Sequence, residues 1–438
     1  MPIHQPATVP GVPTLELKRQ YGEIQAEVLA AIERVCASQQ FVLGPEVEAL
    51  EQEIAQYVGV KHAVGCASGT DALWLALAAA GVGTGDRVIT TPFSFFASAS
   101  SIVRTGAEPV FVDIDPGTLN IDTKAVARAL ERGSNVRPQA TNTKSPANNR
   151  NRRRGELRSS GPAKAAVPAS TKVKALLPVH LYGQCAEMTA LQELASEHNL
   201  ALIEDAAQAI GAKWDGKSAG SMGVAAAFSF YPTKNLSAYG DAGLVTTNDP
   251  TVAVHMRRLR NHGSPERYLH TEFGWNARMD AIQAAVLRVK LKHIGDWNER
   301  RRSHAATYTL LVQKAGLVAA DSSAKETAGL ANASSSSRFP IQILETSPHA
   351  FHIFHQYVIR AERRDELRAF LKSRGIGSEV YYPIPLHLQP VFAYLGYKKG
   401  DFPEAERAAR EVLALPMFPE LTREEIEAVV GAMADFYS

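Results

Sequence analysis

A lysine placed directly after a strand-like apolar run is the first residue of this sequence with chemistry to offer. Ala225 to Tyr231 is a run of aromatic and small residues that reads as a buried strand, and Pro232 ends it. Lys234 follows at once, in Ser229-Phe230-Tyr231-Pro232-Thr233-Lys234-Asn235-Leu236, and Gly240 and Gly243 let the backbone fold tightly after it. An amine at a buried strand end loses hydration, its pKa falls, and it can attack a carbonyl carbon. The plain alternative is a solvated loop lysine. Ser68-Gly69-Thr70-Asp71 sets small residues and free N–H groups at a helix N-terminus, a seat for a phosphate or simply a helix cap. Asp205, at a strand end in Glu204-Asp205-Ala206-Ala207-Gln208, is a buried carboxylate in need of a cation such as a protonated pyridine nitrogen, or a capping aspartate. Ser229 offers a second phosphate contact, and Phe95 either stacks on a flat ring or belongs to the core. A phosphate seat, a stacking ring, a carboxylate and a carbonyl-capturing amine together fit one ligand, pyridoxal phosphate (PLP).

The elements that must position these residues alternate. Helices are expected over Tyr21–Cys36 and from Pro45, with Val47, Leu50, Ile54 and Tyr57 on one face. Strands are expected at His62–Ala67, Val88–Thr91, Val110–Ile114, Ala175–His180 and Leu200–Asp205, with helices at Ala72–Ala80, from Asp122 to Leu130 and at Thr189–His198 between them. Continuously apolar strands alternating with helices indicate an α/β fold with a mostly parallel sheet covered on both faces. Ligands of such sheets lie at the carboxyl ends of strands, where Thr70, Asp205 and Lys234 all fall. Met279, Ile282, Val286 and Val289 mark one long helix from Arg278 towards Trp297. A smaller α/β part follows: strand Gln356–Arg360, helix Asp365–Arg374, strand Gly377–Tyr382, then helices after Pro403 and Thr422.

Composition narrows the class. An apolar fraction of 45% and a charged fraction of 21% over 438 residues suit a globular protein of two or three domains. Neither a secretory leader nor a membrane-length apolar run is visible, and Cys36, Cys66 and Cys185 are isolated thiols, so a cytoplasmic protein is expected. The net charge of +2 conceals an asymmetry: nine Lys/Arg against Glu156 between Ser134 and Lys172 give that stretch +8, leaving −6 elsewhere. The polar stretch 133–172 is expected to be a disordered loop rather than an arm for nucleic acid or membrane, and 320–337 is a second low-complexity insertion. Gly81, Gly83 and Gly85 follow a helix and precede a strand, the reverse of a dinucleotide fingerprint. His262, His270 and Glu272 match no standard metal spacing.

The motifs have a family likeness. Phe41-Val42-Leu43-Gly44-Pro45-Glu46, Ser68-Gly69-Thr70-Asp71-Ala72-Leu73, Thr91-Pro92-Phe93-Ser94-Phe95, Phe111-Val112-Asp113-Ile114-Asp115, Pro178-Val179-His180-Leu181-Tyr182-Gly183-Gln184, the Glu204–Gln208 and Ser229–Leu236 segments, Arg260-Asn261-His262-Gly263 and Tyr382-Pro383-Ile384-Pro385-Leu386-His387 occur in that order. The chain thereby resembles the DegT/DnrJ/EryC1/StrS family of sugar aminotransferases, a fold-type-I PLP group. The resemblance implies a large PLP-binding domain over 1–300 with a mostly parallel seven-stranded sheet, and a small C-terminal α/β domain over 301–438. It implies that Lys234 holds the cofactor covalently and shuttles the proton, and that Asp205 holds the ring nitrogen. Thr70, Asp71 (by its backbone) and Ser229 would bind the phosphate, and Phe95 and Gln208 would lie against the ring. Asn276 would reach the phosphate of a neighbouring subunit, making a homodimer with shared sites. Tyr182, Arg278, Tyr381 and His387 would meet the substrate.

The reaction implied takes the amino group of L-glutamate, leaving 2-oxoglutarate, and delivers it to a nucleotide-linked keto-sugar. The segments Tyr381–Gln389 and Leu395–Pro403 resemble members that aminate C3, although position 381 is Tyr where those members often carry His. Lys234 speaks against the dehydrating branch, which has histidine there. An aminocyclitol ketone and a non-catalytic PLP-binding regulator are the alternative roles.

Overall fold

The computed structural model describes residues 11–131, 172–318 and 339–438. The expected loop at 133–172, Lys172 aside, and the insertion at 320–337 lie outside the described residues. The chain opens with α1 (Leu17–Ser38) and α2 (Pro45–Val58), the latter entered through a proline whose missing N–H costs nothing in the first turn. Val47, Leu50 and Ile54 of α2 are buried as expected, whereas Tyr57 is exposed.

The alternation then begins. Strands β1 (His62–Cys66), β2 (Arg87–Thr90), β3 (Glu108–Phe111), β4 (Val173–Leu176), β5 (Ala201–Asp205), β8 (Ala225–Ser229) and β9 (Gly243–Thr247) form one sheet, with the two-residue β6 (Lys213–Trp214) and β7 (Lys217–Ser218) outside it. Helices α3 (Gly69–Ala79), α4 (Phe96–Arg104), α5 (Thr123–Glu131), α6 (Met188–Glu197), α7 (Pro250–Leu259) and α8 (Ala281–Leu291) cover its faces. The strand order is β1-β9-β8-β5-β4-β2-β3. Six strands run one way; β9, absent from the expected elements, runs antiparallel between β1 and β8. The seven-stranded, mostly parallel α/β sheet is therefore present. Its strands are apolar at their centres because both faces are buried: Val64, Ile89, Leu176, Ile203, Phe228 and Leu244 are all at most 1% exposed. Burying a side chain such as Phe228 contributes up to about 3 kcal/mol.

Two expectations are corrected. The long helix from Arg278 is two helices, α8 and then α9 (Ile294–Lys314), separated by a turn at Lys292–His293. Gly295 stands in open space just after the break, where a residue of low helix propensity makes interruption cheap. The segment Gly377–Tyr382 is not a strand; its pairing is the single bridge Glu379–Ala414, and Pro383 and Pro385 supply no N–H to extend it.

Beyond α9 a second core forms around the antiparallel sheet β10 (Ile341–Ile343), β12 (Tyr357–Ala361) and β13 (Val412–Leu415), while β11 (Ala350–Phe351) pairs with β6. Helices α10 (Arg364–Ser373), α11 (Pro403–Glu411) and α12 (Arg423–Tyr437) complete it. Helix α9 serves both cores: Ile294 and Trp297 pack with the large sheet, Ala305, Tyr308 and Val312 with the small one. No helix among the described residues is long and apolar enough to cross a membrane.

Candidate active site

The parallel strands β1, β5 and β8 deliver their carboxyl ends to one edge. At that edge Gly243 of β9 is paired with Cys66 on one side and Ser229 on the other. Ser68 caps α3, its Oγ accepting from the Asp71 N–H (3.1 Å), so the plain cap and the phosphate seat are the same turn. The Asp71 N–H is thereby occupied, which leaves the Gly69 and Thr70 N–H groups as the open donors of that terminus. The approach is tight: a Cβ on Gly69 would fall 2.5 Å from Ser229 Cβ, and one on Gly243 would fall 2.2 Å from the Ser68 carbonyl oxygen. Neither Gly240 nor Gly243 takes a left-handed φ, so the expected tight turn is not what Gly243 supplies; it allows backbone to touch backbone.

Asp205 ends β5, buried at 4% exposure. Its Oδ2 accepts from Ser98 Oγ (2.7 Å), and Ser94 Oγ lies 2.8 Å behind Ser98. Its Oδ1 accepts weakly from the Ala207 N–H (3.3 Å). Burial raises its pKa, against the pull of Ser98, Ala207, Lys234 and His180. Such a carboxylate has acceptor capacity left over and gains from a cation. Lys234 stands across from it in the turn after β8, its own N–H bonded to the Tyr231 carbonyl (2.8 Å). The side chain is half-buried, and burial pulls its ammonium down to about 8 while the Asp205 carboxylate opposes the pull. An amine so placed is a nucleophile near neutral pH.

A polar and aromatic wall closes the third side. Tyr182, in the left-handed region at φ 57°, gives its N–H to Gln208 Oε1 (2.6 Å) and its hydroxyl to the Tyr381 carbonyl. Gln208 Nε2 donates to Tyr382 Oη (3.2 Å). Burial, then the nearby Asp205 charge, push the Tyr382 hydroxyl up, so it stays protonated. Phe95, 59% exposed, lies 6.2 Å from the Tyr382 ring, centroid to centroid, presenting a face rather than joining the core.

Not every expected residue arrives here. Arg278 Nε donates to Asn276 Oδ1 (3.0 Å) and its NH1 to Asn261 Oδ1 (3.4 Å), so the two hold each other on the 261–278 segment. His387 is withdrawn: its ring is covered, with Nε2 3.1 Å from Glu406 and Phe402 edge-on. A substrate contact by His387 does not fit that burial, and the residue instead anchors the 386–406 segment. Glu272, which with His262 and His270 matches no standard metal spacing, is paired with His255 (2.7 Å). Ser98 and Tyr382 are the functional candidates that sequence reasoning missed; Tyr382 stood in a recognised segment, whereas Ser98 reads only as a small helical residue.

The residues present fit PLP: a cradle that any Cβ would fill, a buried carboxylate with spare capacity, and an amine of lowered pKa. Comparison with known proteins agrees. The DegT/DnrJ/EryC1/StrS aminotransferase family model matches residues 22–136 and 159–434. A protein of Geobacillus stearothermophilus named pleiotropic regulatory protein is 47% identical over 428 residues, 97% of this chain and 98% of that one. A dTDP-3-amino-3,4,6-trideoxy-alpha-D-glucose transaminase of Streptomyces venezuelae is 40% identical over 430 residues, 98% and 97%. The crystal structure of S. venezuelae DesV, solved with a ketimine intermediate, superposes with a TM-score of 0.81 at 40% identity, covering 98% of this chain and 99% of that one. By fold, motif and similarity alike, this chain belongs to the DegT/DnrJ/EryC1/StrS aminotransferase family and is a PLP-dependent sugar transaminase.

Proposed function

We propose that the chain transfers an amino group from L-glutamate to the C3 ketone of a nucleotide-linked keto-sugar at the edge formed by Lys234, Asp205 and the α3 N-terminus. The observation that carries the reading is the facing pair: a lowered amine at the end of β8 and a buried, under-bonded carboxylate at the end of the neighbouring β5. PLP, when bound, supplies an electron sink for removal of the proton next to nitrogen. Lys234 holds the cofactor and moves that proton. Asp205 would keep the ring nitrogen protonated, and Ser98 orients the Asp205 carboxylate through its hydroxyl. The Gly69 and Thr70 N–H groups and Ser229 seat the phosphate at a positive helix end, with Asp71 confined to the cap and to Arg104 (2.6 Å). Phe95 and Gln208 bound the ring, and Tyr182 positions Tyr381 through its carbonyl.

A homodimer belongs to the proposal. Phe273 and Tyr268 are 97% and 82% exposed beside Trp275, an aromatic surface that a second copy would cover, carrying Asn276 and Arg278 to its site. The division at residue 300 into a cofactor-binding part and a C-terminal part, and a reducing, cytoplasmic setting for the free thiols Cys36, Cys66 and Cys185, belong to it as well. Amination at C3 draws support from the 3-amino sugar named for the S. venezuelae relative.

The test is a half-reaction. Protein pre-aminated with L-glutamate and freed of it is mixed with 3-keto and 4-keto nucleotide sugars and an inositol-type ketone, and the return of the visible cofactor absorbance is followed. Return with the 3-keto sugars is expected. Return only with 4-keto sugars or the cyclitol ketone contradicts the C3 reading. The regulatory role, which the name of the G. stearothermophilus relative keeps in view, predicts no amine uptake from any donor.

A further inference from the structure

The residue after the reactive lysine is held more tightly than the lysine itself. Asn235 is buried at 4% exposure and both ends of its amide are bonded. The Ile210 carbonyl can only accept, so it takes the Asn298 amide N–H (3.0 Å). Asn298 Oδ1 is then free to accept from Asn235 Nδ2 (2.8 Å), and Asn235 Oδ1 is left facing His355 Nδ1 at 3.0 Å. An amide oxygen cannot donate, so His355 carries its proton on Nδ1. The ring is kept neutral first by burial, then by the Lys234 and Arg301 charges beside it.

His355 is itself anchored from the far side. Arg301 NH1, on α9, donates to the carbonyls of His355 (3.2 Å), Phe354 (3.4 Å) and Met417 (2.9 Å). The His355 backbone N abuts Gly183, where a Cβ would fall at 2.9 Å from it, directly beside Tyr182 of the site wall. The segment is the seam between the cores: Ile353 packs with the large sheet and Tyr357 with the small one.

We propose that His355, through its Nδ1–H bond to Asn235, is a positioning residue that aims the Lys234 amine and ties its placement to the C-terminal core. The proposal rests on the reading of Lys234 as the cofactor lysine. Its test uses the distinction between the two ring nitrogens. Asparagine at 355 places an amide N–H near the Nδ1 position, whereas glutamine places it near Nε2, and both are polar residues of tolerable size.

Apo wild type, His355→Asn and His355→Gln are mixed with PLP. The rate of covalent capture is read by absorbance, and the pH midpoint of that absorbance is titrated. The titratable and charged groups facing Lys234 and His355 are Asp205, Arg301 and His352, the last held neutral by burial, and all are unaltered in the variants. The expected result is capture slowed about tenfold or more with a displaced midpoint in His355→Gln, and rates within about threefold of wild type in His355→Asn. Equal rates and midpoints in the two variants would overturn the proposal, because a merely structural histidine does not distinguish them. Should both fail to fold, Asn235→Leu, which removes the acceptor of the His355 Nδ1–H, must slow capture about tenfold or more; capture at the wild-type rate in that variant also overturns the proposal. Borohydride trapping in wild type separates the layers: PLP on a lysine other than Lys234 overturns the underlying reading and the proposal with it.

Discussion

Two carboxylates stand side by side at the end of β5, and the sheet sends them to opposite faces. Glu204 faces the side that the chain has filled. Its oxygens accept the N–H groups of Gly220 (2.8 Å), Met222 (2.8 Å) and Gly223 (2.7 Å), and His180 Nε2 lies 2.9 Å away. The Ala186 N–H donates to His180 Nδ1, so His180 holds its proton on Nε2 and gives it to Glu204. Asp205, one residue on, has a serine hydroxyl and one long backbone contact. Burial alone does not distinguish a functional carboxylate from a structural one, since both are buried. The difference lies in the count of donors already spent. Lysines repeat the lesson: burial brings Lys234 and Lys290 both to about 8, but Lys290 is bonded to Ser237 (2.8 Å) with the Tyr239 ring over it, whereas Lys234 looks across to Asp205.

The largest effect that this comparison predicts is at Lys234. Lys234→Ala is expected to abolish turnover in a coupled 2-oxoglutarate assay while Lys290→Met retains it; residual turnover in the first variant would break the distinction between the two amines. Next come the carboxylates. Asp205→Asn is expected to lower kcat/KM roughly 10³-fold, with the urea midpoint of the apo protein unchanged or raised, because a charge that is costly to bury is removed. Glu204→Gln is expected to do the opposite: turnover per folded molecule is retained and about 2–3 kcal/mol of stability is lost, as an amide cannot accept every N–H that the carboxylate holds.

A pH comparison sharpens the lysine contrast. The ammonium of Lys290 loses its proton at about 8 in the folded protein and at 10.5 when unfolded, so the unfolded state binds more protons between those values. Wild type is therefore expected to gain stability relative to Lys290→Met as pH rises through that window, measured by urea melts. A flat difference would show that the amine is not desolvated. The smallest effect is at Ser98. Ser98→Ala removes one donor from Asp205 and is expected to cost about 1 kcal/mol of transition-state stabilisation in kcat/KM, with little change in KM for glutamate.

What the sequence showed and what it hid follow a physical divide. Lys234, Asp205 and the Ser68–Asp71 turn were legible because strand ends and helix starts are local patterns, and a parallel sheet brings such ends to one edge. The partners of those residues were not legible. Ser98 meets Asp205 across 107 positions, His355 meets Asn235 across 120, and Tyr382 meets Gln208 across 174. No periodicity encodes such pairings. Strand β9 escaped because Gly243–Thr247 is five residues with little beyond an apolar centre, and its place between β1 and β8 depends on both neighbours. The segment Gly377–Tyr382 looked like a strand from Glu379-Val380-Tyr381-Tyr382, yet prolines follow it, the Tyr182 hydroxyl donates to the Tyr381 carbonyl and Gln208 donates to the Tyr382 hydroxyl. His387 was chosen by likeness alone, and its burial against Glu406 could not be foreseen from its neighbours in the chain.

The central claim is that the amine facing Asp205 holds the cofactor. Reduction of the PLP-loaded protein with borohydride, followed by digestion and mass mapping, tests it directly. The account predicts a single pyridoxyl-bearing peptide containing Lys234, lost in Lys234→Ala. The label on the peptide containing Lys290, or spread over several lysines, would contradict it.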